Sequence, residues 1–132
     1  MLLFGAIAVV STPAEAAINC SPGTSMDIGY TIQSGAYIKG SASYTSCPNR
    51  PISSADIWIQ RRNAATSFAS IGATHVTISG ITTPSSKAFS PKDWACTYTD
   101  QDYYEFRTYV EFHHSSGTTK LYSNVVRVIN CK

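Results

Sequence analysis

The sequence predicts an all-β domain, a two-sheet sandwich of about seven antiparallel strands braced by disulfides. Three observations carry this prediction. Residues 17–132 contain a single Leu, Leu121, against 11 Ile and 5 Val. Stiff β-branched side chains suit a pleated sheet, whereas helices favour Leu. Apolar residues alternate with polar ones along several segments, and no helical pattern exceeds two turns. Ser and Thr make up 32 of the 132 residues while charged residues are only 14%, roughly half the usual share. A disordered chain is excluded, because that class combines low hydrophobicity with high net charge. A net charge of +2 is too small to imply nucleic-acid binding.

The elements follow in order. Residues 2–10 are an apolar run too short for the roughly 20 residues of a membrane span. Ala14-Glu15-Ala16 places small residues at the −3 and −1 positions of a signal-peptidase site. Residues 1–16 therefore read as a signal peptide and 17–132 as one β-sandwich domain. The usual basic n-region is missing, since no Lys or Arg precedes Lys39; a start truncated upstream would account for that. Ile28, Tyr30 and Ile32 share one face of a first strand, opposite Gly29, Thr31 and Gln33. In the second strand Ile38, Gly40, Ala42 and Tyr44 oppose Tyr37, Lys39, Ser41 and Ser43. Pro48-Asn49-Arg50-Pro51 is a loop, and a third strand over 55–62 carries Ile57, Trp58 and Ile59. A weak fourth strand lies near 68–71, and Val76 and Ile78 mark a fifth, ended by Gly80. Residues 82–93, with Pro84 and Pro91, read as a long loop with at most a short edge strand. Tyr104, Phe106, Thr108, Val110 and Phe112 then line one face of a long strand, with Glu105, Arg107, Tyr109 and Glu111 on the other. Ser115-Ser116-Gly117 turns the chain into a last strand within 121–131.

The four cysteines allow three pairings. The midpoint of Cys20 and Cys47 falls on the turn signal at Ser34-Gly35, and that of Cys96 and Cys131 falls beside Ser115-Ser116. Each pair would clamp the open end of one hairpin, so Cys20–Cys47 and Cys96–Cys131 are expected. Spacings of 27, 49 and 35 residues without a C-x-x-C match no zinc-ligand pattern. No metal site and no cofactor are expected. The signal peptide implies secretion, and an oxidising, extracellular setting permits these disulfides. There the sequon Asn19-Cys20-Ser21 would matter only in a eukaryotic host.

Tyr104-Glu105-Phe106-Arg107-Thr108-Tyr109-Val110, Gly117 and Ser123-Asn124-Val125-Val126-Arg127-Val128 resemble the final two strands of a fibronectin type III or immunoglobulin-like domain. In that family a Tyr opens the penultimate strand and a Ser-Asn step starts the last one. Trp58 is similar to the family's core Trp. The resemblance covers residues 103–128; elsewhere it rests on strand count. It departs at Phe106, where an immunoglobulin domain would carry its second Cys. It implies a sandwich with the two Cys pairs at opposite poles, and no particular activity.

Catalytic motifs are missing: no G-x-S-x-G, no H-E-x-x-H, no phosphate loop. His113 and His114 are adjacent on a strand, so they point to opposite faces and cannot chelate one ion together. With His75 they read as surface residues, with a Cu(II) or Zn²⁺ site involving one of them as the alternative. Asp100 and Asp102 read as turn residues, with Ca²⁺ binding or an acid/base pair as the alternatives. Trp94, Tyr98 and Tyr103 crowd a polar segment and are the binding candidates, suited to stacking on a sugar or to a protein interface. Trp94 covering the open end of the sandwich beside Cys96 is the plainer reading. The expected function is thus a secreted, non-catalytic binding module for a protein or glycan, with no nucleic-acid partner and no membrane insertion. The alternative is a peptidase inhibitor built on the proline-stiffened loop of Asn49, Arg50 and Pro51, with Lys87 and Lys92 on another exposed loop; a hydrolase ranks third.

Overall fold

A computed structural model describes residues 18–63, 66–96 and 103–129. The expected signal peptide, Tyr98, Asp100, Asp102 and Cys131 lie outside the described residues. The described residues form ten strands: β1 (Ser25–Ser34), β2 (Tyr37–Ser46), β3 (Ile52–Asn63), β4 (Ala69–Ser70), β5 (Val76–Ser79), β6 (Ser85–Phe89), β7 (Trp94–Ala95), β8 (Tyr103–His114), β9 (Gly117–Tyr122) and β10 (Val126–Ile129). Among the described residues no helix is long and apolar enough to cross a membrane.

The strands fall into two antiparallel sheets. In the larger, β8 pairs with β3 on one edge and with β9 and then β10 on the other. The free edge of β3 carries β4 and β5. In the smaller sheet β2 stands between β1 and the successive pieces β6 and β7. The expected seven strands are therefore ten, because three of the seven lanes are broken. The 3-10 turn Gly72–Thr74 splits β4 from β5, residues 90–93 with Pro91 split β6 from β7, and Ser123-Asn124-Val125 split β9 from β10.

The inward faces of β2, β3 and β8 follow the alternation. Ile38, Ala42, Tyr44, Ala55, Ile57, Ile59, Phe106, Val110 and Phe112 are buried. In β1 the phase changes. A bulge between Ile28 and Thr31 shifts the register by one residue and exchanges the two faces of the strand. Met26 and Ile28 pack against the core, but Thr31 then points inward at 1% exposure while Tyr30 and Ile32 are exposed. The expected shared face of Ile28, Tyr30 and Ile32 is thereby corrected.

The buried Thr31 anchors a polar belt between two apolar clusters. One cluster contains Tyr44, Ile57, Phe89 and Phe112; the other contains Ile38, Ile59, Phe106 and Val128. Thr31 Oγ1 lies 2.7 Å from both Thr108 Oγ1 and Ser123 Oγ. Thr108 Oγ1 donates to the Tyr30 carbonyl at 3.1 Å. Asn124 binds the Thr31 backbone at both its N–H and its C=O, at 3.0 Å each. A side-chain amide thus takes the part of a strand neighbour and ties β1 of one sheet to the break in the last lane of the other. Burying hydroxyls is tolerable only because each has a partner.

Cys20 and Cys47 are disulfide-bonded, with Cα atoms 5.8 Å apart, at the open end of the β1–β2 hairpin as the midpoint argument expects. Cys96 is also in a disulfide; its expected partner, Cys131, lies outside the described residues. Trp58 corrects the comparison with a core tryptophan. Its neighbours Ile57 and Ile59 take the buried positions of β3, so strand alternation sends Trp58 to the outer face.

Candidate functional site

The outer face of the larger sheet is organised by strand register into transverse rows. Trp58 is paired with Tyr109, and Tyr109 with Tyr122; His75, just before β5, lies beside Trp58. Ring centroids are 4.5 Å apart for His75–Trp58, 5.4 Å for Trp58–Tyr109 and 5.0 Å for Tyr109–Tyr122, with interplanar angles of 7°, 18° and 17°. These distances track the strand spacing of about 4.8 Å, so flat rings at paired positions stack without leaving their lanes. Each such contact contributes about 0.5–1.5 kcal/mol beyond the area it buries. The stack reduces Tyr109 to 8% exposure, whereas Tyr122 at the edge keeps 47%.

Arginines extend the stack. Arg107 lies over Tyr122 at 4.1 Å and over Phe68 at 4.1 Å, and Arg62 covers Phe68 at 4.4 Å. Arg62 Nε donates to Glu105 Oε1 at 2.8 Å, and Arg127 reaches Glu105 Oε2 at 3.4 Å while covering Tyr103 at 4.1 Å. Arg62 and Arg127 both pair with Glu105 in register, so this row alternates in charge. The hydrogen bond from Arg62 holds the Glu105 carboxyl below its ordinary range, assisted by the nearby positive charges.

On the other side of the aromatic row lies a polar cluster. Asp56 is paired with Glu111 on β8 and with Thr77 on β5. Its Oδ1 lies 2.8 Å from His75 Nε2 and accepts from Thr77 Oγ1 at 2.6 Å, and its Oδ2 lies 2.9 Å from His113 Nε2. Burial pushes the Asp56 carboxyl up, but hydrogen bonds from Thr77, His75 and His113 outweigh it and hold it below its ordinary value. Tyr109 donates its hydroxyl to Glu111. Burial first, and then that hydrogen bond to a carboxylate, raise the phenol far above its usual range.

Thr77, His75 and Asp56 have the residue types of a nucleophile–base–acid relay, but not its geometry. Thr77 Oγ1, at 3.2 Å, and Asp56 Oδ1 both address the same nitrogen, His75 Nε2, and Thr77 also donates to Asp56. A relay needs the hydroxyl on one ring nitrogen and the carboxylate on the other.

Of the expected binding residues, Trp94 and Tyr103 stand in different sheets. Tyr103 belongs to the outer face just described. Trp94, in the smaller sheet, is half-buried against the cluster of Ile38, Ile59 and Cys96, with Arg61 5.8 Å above its ring. Its Nε1 is buried without a partner among the described residues. Tyr98, Asp100 and Asp102 lie outside those residues. The loop of Asn49, Arg50 and Pro51 is exposed and tied to the start of β1. Asn49 Oδ1 accepts from the Thr24 N–H at 3.1 Å, and Thr24 Oγ1 donates to the Arg50 carbonyl at 2.8 Å. His113 and His114 do face opposite ways: His113 meets Asp56, and His114 meets Thr119 at 2.8 Å. Sequence reasoning missed the row through His75, Trp58, Tyr109 and Tyr122. The available signal was the placing of Trp58 and Tyr109 on the faces opposite the buried residues of their strands. Comparison with known proteins finds no matching family model, no similar curated protein and no similar solved structure.

Proposed function

We propose that this chain is an extracellular, non-catalytic interaction module of the immunoglobulin-like or fibronectin type III-like kind, binding a protein partner through the outer face of the larger sheet. The observation that carries this reading is the gathering of Trp58, Tyr103, Tyr122, Arg62, Arg107 and Arg127 into one stacked surface. Trp, Tyr and Arg are the residues enriched in binding hot spots, and stacking immobilises their side chains before any partner arrives, which lowers the entropic cost of association. A protein is favoured over a glycan because Trp58 and Tyr109 each have a ring neighbour in the lane on either side. Their flat faces are occupied, leaving edges and guanidinium groups for a partner, whereas sugar stacking needs an open face. The Cys20–Cys47 disulfide suits an oxidising compartment. The inhibitor reading is less favoured, since the Arg50 carbonyl that a protease would polarise is held by Thr24.

The test places a photo-crosslinking amino acid at Lys120, on the ladder face, or at Ala88, on the exposed face of the smaller sheet. Each protein is then exposed to the host's own extracellular proteins. A discrete protein adduct from position 120 and none from 88 is expected. An adduct from 88 alone, adducts from neither, or stoichiometric inhibition of a trypsin-like protease would overturn the reading.

A further inference from the structure

The outer face contains an arrangement that the interaction role does not require. Asp56 and Glu111 are directly opposite each other on β3 and β8, and like charges placed so in a ladder repel. Glu111 also stands opposite Lys120 of β9, but among the described residues no lysine or arginine comes within ion-pairing distance of it; His113 Nε2 is 3.8 Å from Glu111 Oε1 and 2.9 Å from Asp56 Oδ2. One ligand atom from each of Asp56, Glu111 and His113 lies within 4.8 Å of the others.

Each of these side chains is also oriented from behind. Thr118 Oγ1 is 3.2 Å from His113 Nδ1 and fixes the ring with Nε2 toward the carboxylates. Tyr109 holds Glu111 by Oε2, leaving Oε1 toward His113. Thr77 holds Asp56 by Oδ1, leaving Oδ2 toward His113. Hydrogen-bond partners on the outward atoms of a His and two carboxylates are the arrangement that orients metal ligands. His75 Nε2, on the far oxygen of Asp56 at 2.8 Å, supplies a second imidazole at the margin.

We propose that Asp56, Glu111 and His113 form a binding site for a single Zn²⁺-class divalent ion, with His75 adjoining its open side. A mixed set of imidazole and carboxylate suits Zn²⁺ and its borderline neighbours, whereas Ca²⁺ and Mg²⁺ take all-oxygen sites. The ion takes the place of the proton between His113 and Asp56 and neutralises the facing carboxylates. This inference is independent of the partner reading: the outer face can bind a protein with or without the ion.

The experiment titrates Zn²⁺, and separately Ca²⁺, into the untagged full chain after chelator treatment, followed by calorimetry and by the shift in thermal midpoint. One equivalent of Zn²⁺ should bind, with a rise in midpoint, and Ca²⁺ should give neither. His113→Ala and Glu111→Gln should each weaken binding by well over tenfold, and Thr118→Val, which removes only the orienting contact, by about tenfold. His114→Ala, on the opposite face, should bind as the wild type does. Circular dichroism of each variant establishes folding, and two ligand variants are included so that one misfolded protein does not void the result. No Zn²⁺ binding up to about 1 mM, or wild-type affinity in both folded ligand variants, would overturn the site.

Discussion

Gly40 stands on the inward face of β2, opposite Thr108 of β8, and its missing side chain is what lets the polar belt close. A Cβ built on Gly40 lies 2.0 Å from Thr108 Oγ1 and 3.1 Å from both Thr108 Cβ and Cγ2. In Gly40→Ala the hydroxyl must move by more than an ångström, away from Thr31 Oγ1 at 2.7 Å and the Tyr30 carbonyl at 3.1 Å. Overpacking of a close-fitting interior costs about 1–3 kcal/mol, and leaving a buried polar group unpaired costs a further 1–3 kcal/mol or so. Lower chain entropy in the unfolded alanine variant offsets about 0.4–1 kcal/mol. The net expectation is a loss of about 2–4 kcal/mol. In a Thr108→Ala background the 2.0 Å clash is gone and only the 3.1 Å contact remains, so the same substitution should cost less than about 1 kcal/mol. Urea denaturation of the oxidised protein, read as a shift of midpoint at unchanged slope, measures all four corners of the cycle. An equal loss in both backgrounds, or a loss below about 0.5 kcal/mol in the wild type, would refute the close-approach argument.

Three further outcomes are expected. Cys47→Ala opens a cross-link spanning 27 residues, which by loop-closure entropy should remove about 3.5 kcal/mol; a urea-midpoint change worth less than about 1 kcal/mol would contradict it. Asn124→Ala removes both side-chain hydrogen bonds to the Thr31 backbone. It should cost about 1–3 kcal/mol and should speed hydrogen exchange at the Thr31 amide more than at Ile38. Because the Glu105 carboxyl is held below its ordinary range when folded, its contribution is present above the unfolded glutamate value of about 4.3. It disappears as pH falls through the lowered folded value. Stability followed from neutral pH into acid should therefore fall less steeply in Glu105→Gln, and parallel curves would show that the Arg62 contact adds nothing.

Much of the fold was legible in residue order because a period of two is a local property. Ile57 and Ile59, or Phe106, Val110 and Phe112, announce their faces within a few residues. What broke the reading in β1 was also local but silent: Ile28, Tyr30 and Ile32 alternate without interruption, and nothing in them marks the bulge that moves Tyr30 and Ile32 to solvent. Trp58 shows the opposite case. Its isoleucine neighbours assign it to the outer face, against what the likeness to a family's core tryptophan implies. The candidate site was hidden for a different reason. His75, Trp58, Tyr109 and Tyr122 become neighbours only through the lateral registers of β3, β8 and β9. Likewise, Asp56 and His113 are 57 residues apart. Composition and periodicity say which face a residue takes; they do not say which residue faces it across the next strand.

The outer face is a pre-stacked surface whose rings pack on one another. A double-mutant cycle between Trp58→Leu and Tyr109→Leu, followed by urea denaturation, measures that packing. Rings 5.4 Å apart at 18° should couple by about 0.5–1.5 kcal/mol. Additivity of the two substitutions to within about 0.3 kcal/mol would mean that the rings stand independently and that no preorganised surface exists.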